Sequence, residues 1–308
     1  MRVAAANVRP VWGDAAATVE IAVGWMQRAV ADGVELLAFG ETFIGGYPFW
    51  LGATGGARFG DPDQKAAYAF YLESAVELDG PEVTQVTEAS ADLGLFTYIG
   101  VAERSGGSTY ATLLAIHPHR GVVSAHRKLR PTYEERLVWA AGDGHGLRVH
   151  HIGGLAVGGL NCWENWMPQA RHALYADGEQ LHVGVWPGGC VLTSDITRLI
   201  ALEGRVWSLA AGTVFGKDDI SSGFPLYDRL AELDAWPEYD GGSAIAAPDG
   251  SWVQEPVSGV EQLVVADVDT ATVSAERQNF DPAGHYARPD VFRVTVDRRR
   301  RRAAVFED

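Results

Sequence analysis

The stretch Leu155–Pro168, LAVGGLNCWENWMP, decides how this 308-residue chain is read. An apolar run with two glycines stops at Asn161-Cys162, and Trp163, Glu164 and Trp166 follow at once. A short, wholly apolar run of this kind predicts a strand buried on both faces of a sheet. Its carboxyl end carries a thiol to the rim, where sites gather in open α/β sheets. Cys162 is therefore the candidate nucleophile, and the rest of the chain is searched for what could activate it.

Upstream, Val3–Val8 reads as a first strand. From Ala15 to Ala31 the residues Val19, Ala22, Val23, Met26, Ala29 and Val30 recur at helical spacing, with Asp14 as N-cap and Gly33 as stop. Glu35–Phe39, ELLAF, is a second buried strand, and Glu41 stands at its carboxyl end. The loop that follows, IGGYPFWLGATGG, is dense in glycine and carries Tyr47, Phe49 and Trp50, a composition that suits a pocket wall. Gln64–Glu77 and Val83–Leu93 read as helices. Phe96–Val101 and Ala111–His117 flank a Gly106-Gly107 turn and read as antiparallel strands, continued by Val122–His126. The sheet is thus expected to be mixed. HRKLRPTYEERLVWAAGDG comes next, with Lys128 directly after a strand and Glu134, Glu135 and Arg136 in a helical turn. Leu129, Leu137, Val138 and Trp139 among those charges give this loop a buried side.

Downstream, Gln169–Asp177 reads as a helix, Leu181–Trp186 as a strand and Thr193–Ala211 as one long helix. Phe215–Gly242 lacks a regular pattern. Ser243–Ala247, Trp252–Gln254 and Leu263–Val268 are late strands, followed by a short helix over Thr270–Asn279. With no linker and no composition break, residues 1–296 are expected to form a single domain, and residues 297–308 a short arginine-rich tail.

The totals narrow the function. A chain with 47% hydrophobic residues at this length buries a core without disulfides or metals. A net charge of −15 argues against nucleic acid and anionic membrane as partners. Arg298–Arg302 reads as a solvated tail or an inter-subunit contact. The two cysteines, Cys162 and Cys190, do not make a disulfide framework. Neither a signal-peptide core nor an apolar run of roughly 18 residues is seen. A cytoplasmic protein is expected.

A thiol needs a base, a cation or a helix N-terminus to become a thiolate. The residues after Cys162 lead towards a helix, and two strand ends supply Glu41 and Lys128. A cysteine nucleophile, a carboxylate base and a lysine stabiliser make a workable acyl-transfer site. A free carboxylate is too acidic to deprotonate a thiol well; burial raises its pKa and a nearby lysine offsets part of that rise. Two rival sites carry less weight. A Cys–His dyad could draw on His150, His151, His172 or His182, but none has an evident orienting pattern. A metal site is disfavoured because neither HxxxH nor CxxC spacing occurs. Cys190 reads as a small buried apolar residue.

Three segments in this order, FGETFIGGYPFW, HRKLRPTYEERLVWAAGDG and GGLNCWENWMPQARHALYADGEQLHVGVWP, resemble the nitrilase branch of the carbon–nitrogen hydrolase superfamily. The late DPAGHYARPDVFRV is similar to the nitrilase C-terminal segment, so the resemblance reaches from the first strand to about Val296. It implies an α/β fold, a four-layer α-β-β-α sandwich with mixed sheets. It also implies Glu41 as general base, Lys128 as stabiliser of the tetrahedral intermediate, Cys162 as nucleophile and Glu135 as a second glutamate that positions the lysine. The Trp163 N–H would join Lys128 as a donor, and Tyr47, Trp163 and Trp186 are the candidate substrate-binding residues. The implied reaction takes a small nitrile to its acid and ammonia without cofactor or metal. The alternative is an aliphatic amidase or N-carbamoyl hydrolase with the same Glu-Lys-Cys triad. The Cys-Trp-Glu order favours the nitrilase branch. A homodimer or larger homo-oligomer is expected, with Lys217–Asp240 resembling an inter-subunit insertion. Gly40 departs from the family, where proline commonly precedes the first glutamate.

Overall fold

The computed structural model describes residues 1–234, 236, 239–302 and 304. Parts of the Lys217–Asp240 stretch and of the 297–308 tail therefore lie outside the described residues. The first half runs β1 (Arg2–Asn7), α1 (Ala15–Ala31), β2 (Leu36–Ala38), α2 (Trp50–Thr54), α3 (Pro62–Ser74), α4 (Pro81–Leu93), β3 (Phe96–Ser105), β4 (Ser108–His117) and β5 (Gly121–Arg127). The second runs β6 (His150–Ile152), β7 (Leu155–Asn161), α5 (Pro168–Ala176), β8 (Leu181–Trp186), α6 (Cys190–Gly204), β9 (Trp207–Gly212), β10 (Val214–Phe215), α7 (Tyr227–Ala231), β11 (Tyr239–Ala246), β12 (Trp252–Ser258), β13 (Gln262–Asp267) and α8 (Thr270–Glu276).

The strands build two mixed sheets. One has the order β13-β1-β2-β3-β4-β5 and the other β10-β11-β9-β8-β7-β6, with β12 beside β11. Each has a parallel trio at its centre, β1-β2-β3 in one and β7-β8-β9 in the other, flanked by antiparallel strands. The last strand, β13, closes back on the first, so both ends of the fold share one sheet.

Alternation of side chains explains the layering. Along β1, Val3 and Ala5 face the other sheet and join Leu36, Tyr98, Val157, Val183 and Leu209 in a core between the sheets. Ala4 and Ala6 face the opposite way and pack with Val19, Ala22 and Met26 of α1 and Val83 and Val86 of α4. On the far face, Ala210 and Ala244 pack against Tyr175 of α5 and Ile196 and Ile200 of α6. The result is the four-layer α-β-β-α sandwich.

The structure differs from the sequence reading in the stretch read as irregular, Phe215–Gly242, which holds α7 and the start of β11, and more sharply in one helix. The helix expected over Thr193–Ala211 stops at Gly204, and Arg205 takes a left-handed backbone with φ 49°. Trp207–Gly212 is then strand β9, buried throughout and parallel to β8. A short apolar run carries no period that separates strand from helix, so the two were merged.

The two sheets meet at the carboxyl ends of β2 and β8, where the Glu41 N–H donates to the Trp186 carbonyl at 3.0 Å. Gly40 sits in that junction. A Cβ there would fall 2.1 Å from Thr213 Oγ1 and 2.8 Å from the Trp186 carbonyl oxygen, so the site has no room for a side chain.

Candidate active site

Three strand ends converge beside this junction. Glu41 follows β2, Lys128 follows β5 and Cys162 follows β7. Glu135 arrives on a 3-10 turn, Tyr133–Leu137, whose capping box ties the Thr132 and Glu135 side chains and backbone together. All four residues are nearly inaccessible, at 3% exposure or less. Lys128 Nζ lies 2.9 Å from Glu41 Oε1 and 2.7 Å from Glu135 Oε2. The reactive atoms of Glu41, Glu135 and Cys162 lie within 4.8 Å of one another. A metal could exploit such spacing, but the Lys128 ammonium already stands between the two carboxylates and supplies the positive charge.

Backbone strain gathers at the same place. Four non-glycine residues among those described have positive φ, and three of them belong to the site: Thr42 after Glu41, Tyr133 in the Glu135 turn, and Cys162 itself. Such conformations cost about 1–3 kcal/mol each and persist only where surrounding contacts hold them. Here they aim the thiol inward from the head of a 3-10 turn, Cys162–Trp166. The Trp163 N–H faces the Cys162 sulfur.

The electrostatics follow from burial. Desolvation pushes the Glu41 carboxyl up to about 8, with Lys128 opposing the rise and Glu135 adding to it. The Glu41–Lys128 contact is short but not aligned as a hydrogen bond, and neither Glu41 oxygen has an aligned donor among the described residues. Burial also pushes the Cys162 thiol well up, Glu41 adds to that, and Lys128 opposes it. Burial works against charge on Lys128 too, but Cys162, Glu41 and Glu135 together raise it above the ordinary lysine value. The resting site is therefore a protonated thiol beside a permanent cation and a carboxylate with unusual proton affinity. The sequence-level expectation of a helix dipole favouring the thiolate is outweighed by desolvation.

Second contacts fix the groups. The Tyr47 hydroxyl donates to Glu135 Oε1 at 2.8 Å, and the Thr132 N–H donates to Oε2 at 2.6 Å. Glu164 accepts from the Asn161 N–H at 3.0 Å, the Leu129 N–H at 2.9 Å and His126 Nε2 at 2.9 Å. It thereby ties the strand end bearing Cys162 to the one bearing Lys128.

A cleft of about 350 Å³ opens on Cys162, lined among others by Tyr47, Thr132, Trp163, Pro187, Val191 and Tyr239. Tyr47 also closes a much smaller space beside Glu41 with Trp12, Phe49 and Phe215. The expected pocket residues thus separate. Tyr47 and Trp163 line the cleft. Trp186 does not: its ring is buried with Ile196 and Ile200, and it serves the site through its carbonyl. A tryptophan that completes a buried strand turns its ring to the helical layer. Cys190 is also corrected. It is half-exposed on the cleft wall, because the Gly188-Gly189 turn carries the start of α6 to the rim. Tyr239 and Thr132 were missed; the nearest signal was the irregular stretch ending at Asp240 and the Pro131-Thr132 turn. Arg298–Arg302 is no free tail either. Arg298 pairs with Asp177, and Arg300 and the Arg301 N–H both reach Asp143.

Residues 2–278 match the carbon-nitrogen hydrolase family. The chain belongs to that family. It is 38% identical to Nitrilase 2 of an unknown prokaryotic organism over 98% of this chain and 94% of that protein. It is 36% identical to the aliphatic nitrilase of Sinorhizobium fredii, over 99% and 98%. Among solved structures, the carbon-nitrogen hydrolase superfamily protein XC1258 of Xanthomonas campestris superposes with a TM-score of 0.70 at 19% identity, covering 96% of this chain and 99% of that one. That likeness concerns the fold. The chain is a hydrolase acting on carbon–nitrogen bonds.

Proposed function

We propose that this hydrolase converts a nitrile to its carboxylic acid and ammonia, with Cys162 as nucleophile, Glu41 as general base, Lys128 as electrostatic stabiliser and Glu135 as the group that positions Lys128. The observation that carries the reading is the convergence of the Cys162, Glu41 and Glu135 reactive atoms within 4.8 Å around one buried ammonium. The nitrilases at 36–38% identity support nitrile over amide as substrate and leave the amidase alternative less favoured.

The chemistry follows from the proton inventory. Glu41 takes the Cys162 proton as sulfur bonds to the nitrile carbon. One carbon–nitrogen π pair moves to nitrogen, where Lys128 and the Trp163 N–H meet the charge. Glu41 passes its proton to that nitrogen, giving a thioimidate. A first water, deprotonated by Glu41, adds to the carbon while the remaining carbon–nitrogen π pair moves to nitrogen and takes that proton from Glu41. The hydroxyl proton of this tetrahedral species then passes through Glu41 to the amine, the carbon–nitrogen bond breaks with its pair going to ammonia, and the carbonyl of a thioester forms. A second water attacks it by the same base, the carbon–sulfur bond breaks, and the thiol is regenerated. No oxidant, metal or cofactor enters this balance.

Cys162→Ala tests the reading. It is expected to abolish nitrile hydrolysis while the protein stays folded, and a mass adduct on the parental Cys162 peptide is expected when substrate is quenched in mid-turnover. Nitrile hydrolysis by Cys162→Ala near the parental rate would sink the mechanism.

The two free cysteines suit a reducing compartment, and we place the enzyme in the cytoplasm. No helix among the described residues is long and apolar enough to cross a membrane. Residues 1–296 are read as one domain, in keeping with the β1–β13 pairing. Val191 on α6, 89% exposed, and Phe292, 72% exposed, leave apolar surface that a second copy of the chain would cover, so we propose a homodimer or larger assembly. Light scattering at micromolar concentration, reading a lone monomer, would remove that part.

A further inference from the structure

Three side chains outside the four above form a chain of hydrogen bonds that ends on the nucleophile's own peptide. Asn165, His182 and Glu179 are each wholly buried. Asn165 Nδ2 donates to the Cys162 carbonyl at 2.8 Å and faces the Leu160 carbonyl at 3.4 Å. Both partners are acceptors only, so the orientation of this amide is settled by its surroundings. Its Oδ1 therefore faces His182 Nε2 at 2.7 Å, and because Oδ1 can only accept, Nε2 carries a proton. The other ring nitrogen, Nδ1, lies 2.9 Å from Glu179 Oε1. A bare Nδ1 opposite a bare carboxylate would set two acceptors against each other, so one proton lies between them as well. The fold makes space for this arrangement: a Cβ on Gly158 of β7 would fall 2.3 Å from Glu179 Oε1.

The Cys162 carbonyl and the Trp163 N–H belong to one planar peptide and point in opposite directions. Whatever grips the oxygen also aims the N–H. That N–H faces the Cys162 sulfur, and Cys162 is held at φ 46°, a strained value that needs an external restraint. We propose that Glu179, His182 and Asn165 form a positioning relay that aims the Cys162–Trp163 peptide, so that the Trp163 N–H meets the charge that develops during attack on the substrate. His182, which sequence reading weighed as a dyad partner for Cys162, thus acts on it through Asn165. The inference rests on Cys162 being the nucleophile.

The relay makes a distinction that simple packing does not. Glutamine at 182 can donate from its amide to Asn165 Oδ1, whereas leucine fills similar space without a donor. His182→Leu is expected to lose on the order of 10²-fold in kcat per titrated site, with KM nearly unchanged, as a misaimed catalytic group does. His182→Gln is expected to recover most of that loss. Alkylation of Cys162 by iodoacetamide should follow the same order. Equal losses in both variants, or none in His182→Leu, would overturn the relay. Should His182→Leu not fold, nitrogen-15 NMR of the histidine-labelled parent decides: a protonated His182 Nε2, identified by its disappearance in His182→Gln, is expected, and an unprotonated one overturns the proposal. If Cys162 were not the nucleophile, the NMR and alkylation results would stand while the kinetic order vanished, so the two failures are separable.

Discussion

Glu41 and Glu164 are equally buried glutamates beside strand ends of the same site, and their surroundings push them in opposite directions. Desolvation raises Glu41 to about 8, while Lys128 only partly opposes it. Desolvation acts on Glu164 in the same sense, but His126 and the Asn161 and Leu129 N–H groups outweigh it and lower its pKa. Burial alone therefore does not decide what a carboxylate can do. Donors fixed on its oxygens stabilise the anion and make a clamp; an ion pair without aligned donors leaves a carboxylate that can take up a proton. The site needs both. Glu164 holds the backbone on which Lys128 and Cys162 stand, and Glu41 is left free for the proton traffic proposed above.

The harshest way to break this contrast is Lys128→Met. It leaves Glu41 and Glu135 facing each other without their shared cation. Removing one partner of a buried pair costs about 3–5 kcal/mol, so a large fall in the urea midpoint is expected. Loss of one preorganised donor costs about 10²–10³ in rate, and kcat should drop at least that far. A folded Lys128→Met variant with parental stability would mean that the two carboxylates do not depend on it.

Next in size is the paired comparison of Glu41→Gln with Glu164→Gln. Loss of a general base typically removes about 10²–10⁴ in rate, and Glu41→Gln should show this with a melting temperature unchanged below about pH 8 and raised above it, where a desolvated charge has gone. Glu164→Gln should reverse the pattern. It replaces a charged acceptor of three hydrogen bonds, each worth about 1.5–3 kcal/mol, and stability is the quantity expected to fall most. Equal losses of stability in the two variants would erase the distinction.

The pH dependence separates them further. Below about 8 Glu41 carries its own proton and cannot accept that of the thiol, so kcat/KM is expected to fall as pH drops through about 8. Because its folded pKa is raised, Glu41 contributes stability that is fully present below its unfolded value and lost as pH rises through about 8. Glu164, with a lowered folded pKa, contributes stability that is present above its unfolded value and lost as pH falls through the folded one. In melting curves, relative to the parent, Glu41→Gln should therefore gain stability as pH rises through about 8, whereas Glu164→Gln should stay less stable across the neutral range and approach the parent only as pH falls below the ordinary carboxylate range.

How much of this was legible in the sequence depends on the length scale of the signal. Cys162, Glu41 and Lys128 each stand within two residues of the end of a strand-like run, and a strand end can be read from a few residues. The four-layer sandwich was carried by the resemblance, not by periodicity. Strand β9 was absorbed into a helix because six buried, mostly apolar residues hold no period. Trp186 was placed on a pocket wall by the resemblance, which carries its position along the strand but not the facing of its ring. The clamp on Glu164 and the chain from Glu179 to Asn165 were out of reach: they join residues up to 38 positions apart whose only shared feature is the point in space where they meet.

Tyr47→Phe gives the smallest effect and the finest probe of the balance around Lys128. The change keeps the ring on the cleft wall and removes one donor from Glu135 Oε1, while the Thr132 N–H and Lys128 still hold Oε2. A net loss of about 1.5–3 kcal/mol in stability is expected for one bond to a carboxylate, with a several-fold fall in kcat and little change in KM. The informative readout is the acid limb. With one oxygen left without its donor, Glu135 draws more on the Lys128 ammonium, and Lys128 is what keeps Glu41 from rising further. The limb should therefore move to higher pH. A limb that stays in place would show that Tyr47 only fills space, and that the balance between Glu41 and Glu135 is set by Lys128 alone.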